Sequence, residues 1–138
     1  MALMDDCIFC KIVKGEIPSA KIYEDEKTLA FLDIAPVNIG HTLVIPKEHF
    51  RSIYEIPENL LAETMKTAKK ISGVIKNTSD GVNVTINNGG AAGQIIFHFH
   101  VHVIPRLASD GFGPWHGRRP YKEGEMQEVA QKISSQIL

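Results

Sequence analysis

No uninterrupted apolar run in this sequence approaches the roughly 18–20 residues that a membrane-spanning helix needs, so no membrane partner is expected. Neither sign of charge dominates. Fifteen Lys and Arg stand against 16 Asp and Glu, for a formal net charge of −1, which argues against a nucleic-acid module held mainly by phosphate neutralisation. Cysteine is nearly missing: Cys7 and Cys10 are the only two, too few and too close together for a disulfide framework. The opening Met1-Ala2-Leu3-Met4-Asp5-Asp6 lacks the basic start of a secretory leader, and a cytoplasmic protein is expected. The chain also has no internal repeat and no low-complexity stretch, which excludes a solenoid or a long linker. What is present is 138 residues, 43% hydrophobic and 22% charged, a composition sized for one globular domain. Six histidines in so short a chain are the first sign of chemistry.

Residues 7–14 place Ile8, Phe9, Ile12 and Val13 at helical spacing before Gly15, predicting a short helix. Residues 21–24 and 28–32 read as a strand hairpin around Asp25-Glu26-Lys27, and residues 41–45 as a third strand closed by Pro46. From residue 57 to residue 76 the period changes: Leu61, Met65, Ala68, Ile71 and Ile75 recur in steps of three and four. Lys66, Lys69, Lys70 and Lys76 gather toward the C-terminal half of that helix, where cations suit its dipole. A fourth strand over 82–87, a glycine-rich loop over 88–94, a fifth strand over 95–104 and a last helix from Glu125 to the end follow. This order predicts an α+β fold, a five-stranded and mainly antiparallel sheet with one long and one short helix.

The strongest signal is His98-Phe99-His100-Val101-His102-Val103-Ile104. On a strand, His98, His100 and His102 share one face, and Phe97, Phe99, Val101 and Val103 share the other, which is expected in the core. Neighbouring histidines would lie about 6.6 Å apart and the outer pair about 13 Å apart. Two adjacent imidazoles can converge on one metal ion, whereas three on a flat strand would be stretched to do so, so the spacing favours a division of roles. Cys7-x-x-Cys10 at a helix start presents half of a zinc site, for which His49 and His98 are the natural completing ligands. A packed thiol pair and a redox dithiol are the alternatives, the latter lacking a thioredoxin-like strand before the motif. The loop Asn87-Asn88-Gly89-Gly90-Ala91-Ala92-Gly93-Gln94 is neither a GxGxxG nor a Walker loop. Its glycines let backbone N–H groups approach an anion, and beside aligned histidines it is expected to bind phosphate.

With those residues in view, the sequence resembles the histidine-triad (HIT) family, whose motif alternates three histidines with apolar residues and matches His98 to Ile104 at every position. The resemblance extends over Cys7-Ile8-Phe9-Cys10-Lys11-Ile12, over residues 30–36 and over residues 40–49, and is nearest to the Hint-like branch in its bacterial, zinc-containing form. It implies one HIT domain over residues 1–138, with a core of about 5–106 and a tail over 107–138. It also implies a homodimer acting on a purine nucleotide, with hydrolysis of nucleoside phosphoramidates or dinucleoside polyphosphates. By that resemblance His100 is the nucleophile, His102 binds the α-phosphate and assists the leaving group, and His41 supports them from behind. Asn87, Gly93 and Gln94 match phosphate-loop positions and Asp33 the ribose position. Ile8, Phe9, Ile12, Phe31, Ile34 and Leu43 match the apolar slot for the base. Cys7, Cys10, His49 and His98 match the ligands of a structural zinc. Two departures stand out: Ile95 replaces the usual serine, removing a donor near the leaving group, and Pro114-Trp115-His116-Gly117-Arg118-Arg119 aligns loosely.

The expected chemistry is two successive displacements at phosphorus through a nucleotidyl-histidine. A non-catalytic nucleotide sensor or scaffold is the alternative. A metallohydrolase using His98, His100 and His102 together is a third reading, weakened by the lack of a carboxylate beside the triad.

Overall fold

The computed structural model describes residues 4–111 and 117–137, so Pro114, Trp115 and His116 fall outside the described residues. Helix α1 (Ile8–Val13) starts where Cys7 Sγ accepts the Cys10 backbone N–H at 3.4 Å, a sulfur standing where an oxygen usually caps. It stops at Gly15, whose φ of 78° suits a glycine. Strands β1 (Lys21–Glu24) and β2 (Thr28–Leu32) form the expected hairpin. Asp25 Oδ1 fixes its turn by accepting the backbone N–H groups of Lys27 and Thr28 at 2.9 and 2.8 Å. Then follow β3 (Thr42–Pro46), α2 (Glu58–Ile75), β4 (Gly81–Thr85), β5 (Val101–Arg106) and α3 (Glu125–Ser134). The sheet runs β1-β2-β3-β5-β4 with every neighbouring pair antiparallel.

Strand alternation sorts the core into two clusters. Ala30, Val44, Val101 and Val103 face α2, together with Phe50, Leu60, Ala68 and Ile71. Leu29, Phe31, Leu43 and Ile45 point the other way and pack with Phe9, Cys10 and Ile12 of α1. The central strands are therefore buried on both faces, and α1 covers the side that carries the histidines. No helix among the described residues is long and apolar enough to cross a membrane.

Four expectations need correction. The fifth strand begins at Val101, so His98 and His100 precede it. The Phe99 N–H bonds to the Phe50 carbonyl at 2.6 Å instead of to a neighbouring strand, which keeps the chain extended without a ladder. Phe97 is 39% exposed and lies under the Arg51 guanidinium, so the apolar face of the motif enters the core only from Phe99 onward. The buried face of α2 is Leu60, Thr64, Thr67, Ala68 and Ile71, while Met65 is exposed. Two threonines can be buried there because the Thr64 hydroxyl donates to the Leu60 carbonyl at 2.7 Å and Thr67 shares a 2.8 Å hydrogen bond with Thr28. Finally, α3 ends at Ser134, short of the chain's end, and buries no residue.

Candidate functional site

Four donors from three distant segments meet beneath α1: Cys7 and Cys10 at its start, His49 after β3, and His98 before β5. His98 Nδ1 lies 3.5 Å from each sulfur, and His49 Nδ1 lies 3.4 Å from Cys10 Sγ and 3.2 Å from His98 Nδ1. Around a tetrahedral zinc, bonds of about 2.3 Å to sulfur and about 2.0–2.1 Å to nitrogen give S···N edges of about 3.6 Å and N···N edges of about 3.3 Å. The donor set has that size. His98 Nε2–H donates to the Pro46 carbonyl at 2.8 Å, which leaves the Nδ1 lone pair aimed at the thiols. Burial holds His98 down to about 4, partly opposed by the Pro46 carbonyl, so the ring is neutral and ready to ligate. Burial also pushes the Cys10 thiol up to about 11, and metal binding must therefore displace its proton. The residues fit zinc.

On the far side of α1 a cavity of about 450 Å³ opens between α1, β2, β3, the glycine-rich loop and the start of β5. All six residues expected to hold a base line it: Ile8, Phe9, Ile12, Phe31, Ile34 and Leu43. Asp33, Asn87, Gly93, His100 and His102 bring its polar groups. Sequence reading missed Ile17, Pro18, Ser19, Leu32 and Ile96 in its wall, while Ile95, singled out there as a departure, also lines it. Gln94 does not line the cavity. Its amide donates to the Arg51 and Ile96 carbonyls at 2.6 and 3.1 Å and its oxygen accepts the Gly89 N–H at 2.9 Å, so the side chain staples the loop. Asp33 combines two situations, since Oδ1 accepts the Ala35 N–H at 2.9 Å in a turn while Oδ2 lies 3.7 Å from His41 Nε2.

Gly93 holds a φ of 93°, and a Cβ there would sit 3.4 Å from Asn87 Nδ2. Gly93→Ala should cost about 1–2 kcal/mol of backbone strain in the glycine-rich loop. A rise in nucleotide KM of about tenfold, with melting lowered only slightly, is the expected outcome of steady-state kinetics. An unchanged KM would separate this loop from phosphate binding.

Hydrogen-bond partners define the histidine tautomers. His100 Nδ1 lies 2.7 Å from the His98 carbonyl, an acceptor only, so Nδ1 carries the proton and Nε2 keeps its lone pair. The Val37 N–H donates to His41 Nδ1 at 3.1 Å, which puts the His41 proton on Nε2, 2.9 Å from His102 Nδ1. His102 thus accepts on Nδ1 and carries its own proton on Nε2. Burial lowers His41 and His100 and takes His102 down to about 4, where the neighbouring His100 and His41 add to the effect. All three are neutral at pH 7, with one lone pair at His100 and one N–H at His102 left to act. The His100 and His102 ring centroids lie 4.9 Å apart.

His98, His100 and His102 form no common ligand set among the described residues. Asp33, His41 and His102 do cluster, but a 2.9 Å N···N separation is that of a hydrogen bond and shorter than the about 3.3 Å edge of a zinc tetrahedron.

Comparison with known proteins bears on the family and the fold. The HIT domain family matches residues 14–109. The chain is 44% identical to the Bacillus subtilis "Protein hit", over 99% of this chain and 98% of that protein. It is 42% identical to the Schizosaccharomyces pombe "Adenosine 5'-monophosphoramidase hnt1", over 95% of this chain and 98% of that one. Among solved structures, a HIT family member from B. subtilis superposes with a TM-score of 0.88 at 44% identity, covering 97% of this chain and 99% of the other. A zinc-bound histidine triad family protein from Mycobacterium smegmatis gives 0.75 at 38% identity, covering 95% and 98%. With its fold, its motif and its whole-length relatives in agreement, this chain belongs to the HIT domain family.

Proposed function

We propose that this chain is a nucleotide hydrolase that cleaves at the α-phosphate of nucleoside phosphoramidates or dinucleoside polyphosphates through a nucleotidyl group on His100. The observation that carries this reading is the His100 tautomer: the His98 carbonyl holds the Nδ1 proton, so the Nε2 lone pair is free at the cavity. The activity printed in the name of the S. pombe relative supports it.

In this reading the base lies between Ile8, Phe9, Ile12, Phe31, Ile34 and Leu43, and Asp33 holds the ribose hydroxyls. Backbone N–H groups near Gly93, with Asn87 and the His102 Nε2–H, neutralise the α-phosphate, each well-placed donor being worth a few kcal/mol. His100 Nε2 forms a bond to phosphorus as the bond to the leaving group breaks, and the departing nitrogen or oxygen keeps the electron pair. An amine leaving group takes its proton from His102 Nε2–H, with His41 supporting His102 from behind. Water then attacks the phosphorus and loses a proton, which returns to His102 Nε2 where the amine has taken the first one, and the N–P bond breaks to return neutral His100 and a nucleoside monophosphate.

Zinc, held by Cys7, Cys10, His49 and His98, supplies a cross-link and no chemistry. A cytoplasmic setting would keep both thiols reduced. Incubation with adenosine 5'-phosphoramidate tests the reading. Formation of AMP that survives mild chelation is expected, and AMP binding without any turnover would leave the sensor reading in its place.

The dimer belongs to this proposal. β4 is an edge strand with Val84 exposed, and Met65 and Val74 are exposed on α2, surfaces that a two-fold partner would cover. Light scattering should return about twice the 15.3 kDa chain mass at micromolar concentration, and a value near one chain mass would contradict it.

A further inference from the structure

The cavity does not end at Ile95. Ile8, Ile95 and Ile96 are also the wall of a second cleft, of about 270 Å³, that contains Arg51, Phe97 and Asp6. Ile95 is 83% exposed, so the partition between the two spaces is thin and open to solvent. Both spaces therefore meet beside the glycine-rich loop.

Arg51 is built into that junction. Its carbonyl accepts the Gln94 amide at 2.6 Å, and the Ile53 N–H donates to Asn88 Oδ1 at 2.8 Å, so segment 51–53 is tied twice to the loop that lines the cavity. The guanidinium lies over the Phe97 ring, 4.9 Å from its centroid. A guanidinium held over a ring face keeps its N–H groups available as donors to oxyanions. Glu55 spends a carboxylate oxygen on the Arg51 backbone N–H at 3.0 Å, and among the described residues no carboxylate pairs with the guanidinium. Among the described residues that line the cleft, Asp6, in the N-terminal segment, supplies the opposing charge.

We infer that this cleft is the subsite for the departing group and that Arg51 makes it selective for an anionic one, a phosphoryl or sulfate group joined to the α-phosphate through oxygen. The inference rests on the hydrolase reading above and adds the leaving-group class. Ile95, which lines both spaces, offers no side-chain hydrogen bond, so a group reaching from the cavity into the cleft meets its charged side chains, Arg51 and Asp6, instead. When His100 Nε2 bonds to phosphorus, the P–O bond breaks and the electron pair stays on the departing oxygen. A phosphate or sulfate needs no proton at that moment. It needs a fixed cation, which Arg51 provides and His102 does not.

The test compares AMP with α,β-methylene-ADP, which carries one more phosphoryl group on the departing side and is not cleaved there. Calorimetry on the intact protein should show tighter binding of the methylene compound. That preference should fall five- to tenfold in Arg51→Ala, reverse in Arg51→Glu and recover in part in Arg51→Lys, with melting unchanged. In turnover, the kcat/KM ratio of adenylyl sulfate to adenosine phosphoramidate should fall about tenfold in Arg51→Glu. An affinity ratio that ignores all three Arg51 variants overturns the subsite. So does a selectivity that responds to Asp6→Asn and not to Arg51→Ala, which would mark an amine subsite. The two readings fail differently. Turnover without Arg51 dependence keeps the hydrolase and removes the subsite, whereas an Arg51-dependent binding ratio without any turnover does the reverse.

Discussion

His100→Ala is expected to lose nearly all turnover while AMP affinity stays within about tenfold. In the proposed reading the ring contributes the Nε2 lone pair that meets phosphorus, and the other two triad imidazoles offer no substitute: His102 Nδ1 is occupied by the His41 N–H, and His98 Nδ1 faces the thiols. The base slot and Asp33 are untouched by the change, so ground-state binding survives, and the loss should appear in kcat rather than KM. Kinetics beside equilibrium AMP binding make the comparison. Comparable turnover in the variant would remove His100 as nucleophile.

The same chemistry sets the acid limb of the pH profile. Burial takes His102 from the ordinary histidine value down to about 4, so it remains neutral through the range in which an exposed histidine would titrate. Burial also lowers His100, whose lone pair does the attacking, so the acid limb of turnover should lie below the ordinary histidine value of about 6.5. An inflection at the ordinary histidine value would mean that the triad is more hydrated than its burial implies.

The second large effect concerns the other end of the motif. Cys7 and Cys10, His49 and His98 lie on segments far apart in sequence, so a metal bound by all four cross-links the start of the fold to its middle and to the approach of β5. Such a site contributes folding energy directly. Cys10→Ser replaces a fully buried thiol of the candidate zinc site. It should lower zinc content and melting temperature together, by at least about 10 °C if the loss reaches about 3 kcal/mol in a domain of this size. Activity measured well below the melting point should fall only moderately. His102→Ala should show the opposite pattern, with zinc and melting nearly unchanged and turnover cut sharply. Metal analysis and thermal melts of both variants settle the division of roles. Zinc below about 0.2 per chain in undisturbed protein, with unchanged melting in Cys10→Ser, would leave the cysteines as packed thiols.

The elements whose periodicity is local were legible in the sequence. The hairpin of β1 and β2, the long helix and the final helix all sit where spacing and turn residues put them, within a few residues. The alternation of His98, His100 and His102 gave a shared face, yet it also suggested a strand from Ile95. Periodicity reports which side a residue takes and says nothing about where the ladder begins, which here depends on the Phe50 carbonyl claiming the Phe99 N–H. The exposed Phe97 escaped for a related reason, since only the fold brings Arg51 across its ring. Thr64 and Thr67 look polar in sequence and are buried because their hydroxyls find partners on a carbonyl and on another strand. Gln94 sits in the phosphate loop by position, but its side chain turns inward, and nothing in a single sequence distinguishes a loop staple from a ligand contact.

The most direct test of the central claim is mass analysis of the protein quenched within one turnover of an adenylylated substrate. One adenylyl group should appear on the peptide that contains His100, stable to alkali and labile to acid as a phosphorus–nitrogen bond is, and it should vanish in His100→Ala. Full turnover by the wild-type protein with no such adduct at any quench time would contradict the account, because water would then be attacking phosphorus directly.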